Sequence, residues 1–174
     1  MARHILTGTP GSGKTAILRR LELFGHAVVE EAATDVIALS QATGTEEPWR
    51  DASFLDRIVS LQRRRSSATG PGLTFFDRSP VCTLALCRHL GLSAPATLVA
   101  EVDRARDFYS PAVFFVRNLG FVRPTAARRI NFEESLAFER IHEEVYREAG
   151  FTLIEVPAGP LETRAALIRE AAAC

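Results

Sequence analysis

The sequence predicts an α/β fold in which parallel strands lie between layers of helices. Short apolar runs alternate with stretches of helical period along the 174 residues. The apolar runs are continuous rather than alternating with polar residues, which is typical of strands buried on both faces of a sheet. Repeated strand–helix alternation implies parallel strands joined by right-handed crossovers. The predicted strands are residues 4–7, 27–30, 73–77, 112–116 and 152–156.

Two helices are predicted in the first half of the chain from the spacing of apolar residues. After the first strand, Ile17, Leu21 and Phe24 recur at intervals of four and three, and Gly25 then supplies a stop. A later helix is expected to be capped by Asp51, because Asp is a favoured residue at this position, and its apolar pairs share one face.

Three further helices are predicted in the second half from their start signals. Ser79 followed by Pro80 places a capping hydroxyl before a proline that suits the first helical position. Asn131, with Glu134 three residues later, is a capping-box pattern. Gly159 and the proline after it precede the last helix, which has an apolar stripe on one side.

Composition and charge exclude several functional classes. The chain has 21 basic and 21 acidic residues and a formal net charge of zero, so it has no overall field for a nucleic-acid backbone or an anionic membrane. Without an apolar run of membrane length or a signal-peptide core, a cytoplasmic protein is expected. The three cysteines lack metal-ligand spacing and are expected to be reduced thiols. Residues 1–174 are expected to form one domain.

A phosphate-binding loop is predicted between the first strand and the first helix. Glycines let backbone N–H groups turn toward phosphate oxygens, and the helix N-terminus favours the same anion. Lys14, the only lysine of the chain, can reach the β- and γ-phosphates from a solvent-facing loop, and the Thr15 hydroxyl is a hard oxygen ligand for Mg²⁺. The pattern G-x-x-x-x-G-K-[ST] is met by Gly8, Thr9, Pro10, Gly11, Ser12, Gly13, Lys14 and Thr15. We therefore expect a nucleoside triphosphate site.

Polar residues at the end of the third strand are expected to face the same crevice. Ligands of open α/β sheets lie beyond the carboxyl ends of the strands, where Asp77 and Arg78 follow the apolar run. Asp77 is predicted to hold Mg²⁺ or accept a proton, and Arg78 to grip phosphate. Helix capping, the alternative role for Asp77, is already available to Ser79.

Two acids end the second strand on the same edge of the sheet. The pair Glu30 and Glu31 is interpreted as including a general base or a contact to an acceptor group, with solvated surface acids as the alternative. Glu31 is the better candidate of the two.

The segment near residues 117–131 contains four arginines and no acid. They are Arg117, Arg123, Arg128 and Arg129. Uncompensated positive charge at this place predicts a lid that closes over phosphates, with an arginine-rich surface as the alternative.

These motifs together resemble the short single-domain AAA-type P-loop ATPases. That group is similar to the nicotinamide-riboside kinase domain and, more distantly, to nucleoside and nucleotide kinases. The resemblance implies a five-stranded parallel sheet in the order 2-3-1-4-5 with helices on both faces. It also implies ATP or GTP with Mg²⁺, with Glu31 as the base and Asp77 as a metal ligand.

The sequence leaves three functional readings open. The first is a small-molecule kinase that transfers the γ-phosphoryl group to a nucleoside-like or other small acceptor. The second is a nucleotide-dependent switch or slow NTPase that acts through a protein or lipid partner. The third is a nucleotide binder without turnover. The arginine segment and the pair Asp77 and Arg78 favour the first.

Overall fold

Five parallel strands form one central sheet in the computed structural model, which describes residues 2–120 and 131–173. The strands are β1 (Arg3–Thr7), β2 (Ala27–Val29), β3 (Thr74–Asp77), β4 (Ala112–Val116) and β5 (Thr152–Val156). Their order across the sheet is β2-β3-β1-β4-β5, and all neighbouring pairs are parallel. The expected P-loop kinase-like topology is confirmed.

Helices connect these strands, and two of the predicted start signals have the expected geometry. The helices are α1 (Lys14–Leu23), α2 (Ala32–Ala42), α3 (Phe54–Ser67), α4 (Pro80–His89), α5 (Ala96–Phe108), α6 (Phe132–Glu148) and α7 (Leu161–Ala172). The Ser79 hydroxyl accepts the Val81 N–H at 3.2 Å, and Asn131 and Glu134 form a capping box. Helix α5 is one that the apolar spacing did not predict.

The expected cap at Asp51 is wrong. Ser53 is the N-cap residue of α3, and Asp51 instead accepts the Ser53 N–H at 2.8 Å and the Ser53 hydroxyl at 2.9 Å. The carboxylate therefore stabilises the turn before the helix rather than the first helical turn itself.

Helices cover both faces of the sheet, because successive strand residues point to opposite sides. Leu6, Phe75 and Phe114 pack with apolar residues of α1 and α7, whereas their chain neighbours Ile5 and Phe76 pack with α4, α5 and α6. The expectation that every strand is buried on both faces is wrong for β2 and β5. They form the two edges of the sheet, and most of their residues are exposed or half-buried.

Strand pairing brings the phosphate-loop segment next to the end of β3. Leu6 of β1 lies opposite Asp77, and the Leu6 carbonyl accepts the Arg78 N–H at 3.0 Å. The residues that follow β1 and β3 therefore emerge side by side at one edge of the sheet. Among the described residues, no helix combines the length and apolar character needed to cross a membrane.

Candidate nucleotide and acceptor site

The loop after β1 has a backbone that only glycine tolerates at its first position. Gly8 has φ +133°, and a Cβ built there would lie 2.3 Å from the carbonyl oxygen of Val116 in β4. Gly11 and Gly13 also have positive φ, at 82° and 84°. The glycine spacing of the motif is thus explained by a close approach to β4 and by left-handed turns.

Lys14 is folded over the loop and does not face solvent, so this part of the expectation is wrong. Only 5% of the residue is exposed. Its Nζ donates to the carbonyls of Gly8 and Thr9, both at 2.8 Å, and to the Ser12 hydroxyl at 3.1 Å. Three acceptors around one ammonium group hold the loop in a closed turn, with a positive charge at its centre.

Helix α1 begins directly after this turn, and no side chain caps its first turn. Gly13 is its N-cap residue and has no side chain with which to cap the first turn. The first N–H groups of a helix have no acceptor within the helix, and the positive end of its dipole lies there. The beginning of α1 together with Lys14 therefore has the positive charge that an anion such as phosphate requires.

Asp77 and Thr15 place hard oxygen ligands beside this anion site. The Thr15 hydroxyl donates to Oδ2 of Asp77 at 3.2 Å, and Asp77 is 4% exposed. Its second oxygen, Oδ1, is buried without a hydrogen-bond partner among the described residues. Burial raises the pKa of Asp77, although Lys14 acts in the opposite direction.

A divalent cation fits these two residues. The buried carboxylate oxygen without a donor leaves the negative charge of Asp77 under-compensated among the described residues. The described residues contain no cluster of three or more His, Cys, Asp or Glu. This donor set suits Mg²⁺, which is usually held by one or two protein oxygens and otherwise by water and phosphate.

Glu31 and Arg78 form a buried ion pair next to Asp77. Nε of Arg78 lies 2.6 Å from Oε1 of Glu31, and their side chains are 8% and 12% exposed. The Thr34 hydroxyl donates to the other oxygen of Glu31 at 2.8 Å. Glu30, in contrast, is exposed and paired with Arg19. Of the two acids after β2, only Glu31 lines the cavity described below.

Arg78 is held in an unusual backbone conformation. It is the only described non-glycine residue with positive φ, at 74°. Such a conformation costs on the order of 1–3 kcal/mol and persists where surrounding contacts enforce it. Here the enforcing contacts are the Leu6 carbonyl at the backbone and Glu31 at the side chain. In this conformation the guanidinium contacts Glu31.

His142 completes the support of Arg78 and was not predicted as a site residue. Its Nε2 lies 3.1 Å from Nη1 of Arg78, and its Nδ1 lies 2.9 Å from the Phe138 carbonyl. Arginine can only donate, so Nε2 must accept and Nδ1 must carry the hydrogen. Burial, and then the charge of Arg78, lower the pKa of His142 well below its ordinary value. The imidazole is therefore neutral.

A cavity of about 350 Å³ opens beside the ion pair. Pro10 of the phosphate loop, Glu31 and Arg78 are among its lining residues. The Gln62 amide and the Thr83 hydroxyl, which hydrogen-bond at 3.0 Å, supply polar groups elsewhere in its wall. The apolar wall is formed by Ala33, Ile37, Trp49, Phe54, Leu86, Leu90 and Phe138. Trp49, in the connection between α2 and α3, thus lines the cavity.

The expectation of an uncompensated arginine segment is wrong for Arg117, which has carboxylate partners. Its guanidinium contacts the carboxylates of Glu139 at 3.0 Å, of Glu155 at 2.5 Å and of Glu143. These acids come from α6 and β5, so the acid-free local sequence did not reveal them. The other three predicted lid residues, Arg123, Arg128 and Arg129, lie outside the described residues.

The fold and this loop define a P-loop nucleotide-binding architecture of the kinase type. A sequence profile described as an AAA domain matches residues 3–164. The chain therefore belongs to this AAA domain family, as the motifs suggested. A sequence comparison with curated proteins finds no match.

Solved structures of small kinases share the fold. Deoxyadenosine kinase from M. mycoides, with dCMP and dCDP bound, is 14% identical with a TM-score of 0.65, and 97% of each chain is covered. Thymidylate kinase from Ehrlichia chaffeensis is 13% identical with a TM-score of 0.66 and covers 99% of this chain and 98% of its own. NadR with NAD and AMP-PNP is 15% identical with a TM-score of 0.70, but only 50% of its chain is covered.

Proposed function

We propose that this protein is a P-loop phosphotransferase that moves the γ-phosphoryl group of ATP or GTP to a small acceptor. The observation that carries the proposal is that one cavity is lined both by the phosphate loop and by a buried acid. Pro10 belongs to the phosphate loop, and it lines the same cavity as the buried acid Glu31. A triphosphate in the loop and an acceptor in the cavity would therefore lie next to each other.

The nucleotide half is built from the phosphate loop, Lys14, Thr15 and Asp77. The N–H groups at the start of α1 and the Lys14 ammonium would bind the β- and γ-phosphates, and Lys14 would exchange its carbonyl partners for phosphate oxygens. Thr15 and Asp77 would hold Mg²⁺, which neutralises charge that develops on the phosphate oxygens. Structural relatives bind dATP and AMP-PNP, which supports a nucleotide ligand.

The acceptor half favours a flat, partly apolar molecule with a hydroxyl group. Aromatic and aliphatic walls suit a ring system, and Gln62 with Thr83 offers both donors and acceptors to ring heteroatoms. A nucleoside has this combination of features. Shikimate, deoxynucleoside and thymidylate kinases among the structural neighbours also act on small molecules.

In the proposed reaction, Glu31 is the general base. The acceptor oxygen forms a bond to the γ-phosphorus while the bond from that phosphorus to the β–γ bridging oxygen breaks, which releases the nucleoside diphosphate. The hydroxyl proton passes to the Glu31 carboxylate. Arg78 keeps that carboxylate in place, and His142 in turn holds Arg78.

A screen for stimulated ADP or GDP release tests the proposal. Nucleosides, nucleotides and vitamins are added singly to the protein with Mg²⁺ and either triphosphate, and one of them should raise release above the background. Release that no acceptor stimulates would contradict a kinase and indicate a slow NTPase or switch.

A matched pair of variants separates the base from its neighbour. Glu31→Gln should lower acceptor-dependent turnover by about 10²–10⁴-fold, the usual contribution of a general base. Glu30→Gln makes the same chemical change on an exposed side chain and should leave turnover unchanged. Equal effects of the two substitutions would show that Glu31 is not the base.

A further inference from the structure

The side chain of Arg164, in α7, contacts the backbone of the phosphate loop. The residue is 4% exposed, and its Nη1 donates to the Ser12 carbonyl at 2.7 Å. Its Nη2 donates to the Arg117 carbonyl, directly after β4, at 2.8 Å. One planar guanidinium thus joins the loop to the end of the neighbouring strand.

The bond to Ser12 fixes the direction of a donor on the other side of the loop. The Ser12 C=O and the Gly13 N–H belong to one planar trans peptide, so they point in opposite directions. With the carbonyl held by Arg164, the Gly13 N–H points away from Arg164. This N–H has no acceptor among the described residues. It is therefore available to a ligand at the start of α1.

Gly13 shows how closely the two groups are packed. A Cβ at this residue would lie 3.1 Å from Nη1 of Arg164, and the backbone has φ +84°. A side chain here would both strain the backbone and push against the guanidinium. Gly13 thus leaves room for Arg164 and also permits the left-handed turn.

The charge of Arg164 is not balanced by an acid in the part of the chain that the structure describes. Arg78 pairs with Glu31, and Arg117 contacts three carboxylates, whereas Arg164 has only carbonyl partners. Burial lowers its pKa from the ordinary arginine value, but a guanidinium keeps its proton in proteins. A buried, uncompensated positive charge therefore lies directly behind the loop.

We propose that Arg164 is a positioning residue for the phosphate chain of the nucleotide. It aims the Gly13 N–H into the phosphate site, and its charge becomes balanced when the polyphosphate binds. The inference rests on the proposed nucleotide-binding function and adds a residue that lies outside the phosphate-loop motif.

Two substitutions of Arg164 separate its geometry from its charge. Arg164→Met removes both hydrogen bonds and the charge, and should weaken binding of non-hydrolysable ATP or GTP analogues with Mg²⁺ by about 10- to 100-fold, since hydrogen bonds from charged groups have this value. Arg164→Lys keeps the charge but cannot hold two carbonyls in a planar fork, so its loss should be intermediate. Arg169→Lys, on the exposed side of the same helix, should bind as the wild type does.

A spectroscopic signature distinguishes positioning from general support of the fold. In nitrogen-15 NMR spectra of the wild type, the Gly13 amide should shift strongly when the analogue is added, and this shift should shrink in Arg164→Lys. Should either variant fail to fold, the wild-type Arg164 Nη hydrogens provide a second measurement that can overturn the inference. They should exchange slowly with and without nucleotide, because both carbonyls hold them.

The outcomes separate this inference from the proposed function. Absence of analogue binding by the wild type overturns the proposed function and the inference with it. Wild-type binding with equal affinity and an equal Gly13 shift in Arg164→Lys and Arg164→Met overturns only the inference. Rapid exchange of the Arg164 hydrogens in the nucleotide-bound wild type has the same consequence.

Discussion

His142 should make the stability of the protein fall in mild acid. The imidazole is buried and accepts a hydrogen bond from Arg78, so protonation would place two positive charges 3.1 Å apart. Burial lowers the pKa of His142 most, and the charges of Arg78, Lys14 and His89 lower it further, although the hydrogen bond to the Phe138 carbonyl acts in the opposite direction. In the folded protein the ring therefore stays neutral at a pH where an exposed histidine takes up a proton.

The sign and size of the effect follow from proton linkage. Below the ordinary histidine pKa of about 6.5, the unfolded chain binds a proton at His142 that the folded chain does not bind. The free energy of unfolding therefore decreases as the pH falls through this window. One such proton contributes a slope of up to about 1.4 kcal/mol per pH unit until the folded pKa is reached.

Urea unfolding, followed by far-UV circular dichroism at several pH values, measures this slope. His142→Gln keeps a hydrogen-bonding side chain but cannot titrate, so its free energy of unfolding should depend less on pH below about 6.5. The difference from wild type should approach about 1.4 kcal/mol per pH unit. His26→Gln, at a half-buried histidine beside Phe75, is the control and should retain the wild-type slope.

Two results would refute this reasoning. Parallel pH profiles for wild type and His142→Gln would show that His142 takes up its proton equally in both states. A slope lost equally in His26→Gln would show that the effect does not come from the contact between His142 and Arg78.

Two further substitutions test the nucleotide half of the site, and a pair of glycine substitutions tests the close approach of its loop to β4. Lys14→Ala should weaken triphosphate binding at least about tenfold in calorimetric titrations, because the loop loses its only ammonium group. Unchanged affinity in the folded variant would contradict nucleotide binding by this loop. Asp77→Asn should still bind nucleotide, but its Mg²⁺-dependent turnover should fall at least about 100-fold, since the charge that holds the metal is gone. Turnover at the wild-type rate would show that Asp77 has only a structural role at the end of β3. Gly8→Ala should lower the free energy of unfolding in urea by more than about 2 kcal/mol, because the new Cβ meets the Val116 carbonyl. At Gly25 a Cβ has open space, so Gly25→Ala should lower it only by the backbone strain of about 1–2 kcal/mol. Equal losses in the two glycine variants would contradict the close approach of β4.

The local patterns of the sequence predicted the elements that depend on neighbouring residues. A glycine-rich turn between an apolar strand and a helical stripe, a serine before a proline and an asparagine before a glutamate all act within a few positions. Each was confirmed where the spacing placed it. The strand order came from resemblance to relatives, because local periodicity does not specify which strands are neighbours.

The sequence by itself therefore determined the phosphate loop, the strands and most helix starts, whereas the tertiary structure decided which charges meet. Arg78 and His142 are 64 positions apart, and Arg164 and Ser12 are 152 apart, yet both pairs are in hydrogen-bond contact. The acids around Arg117 likewise lie on α6 and β5, outside its acid-free segment. Charges act across space over a few ångströms, so their partners are set by the packing of helices on the sheet rather than by the order of residues in the chain.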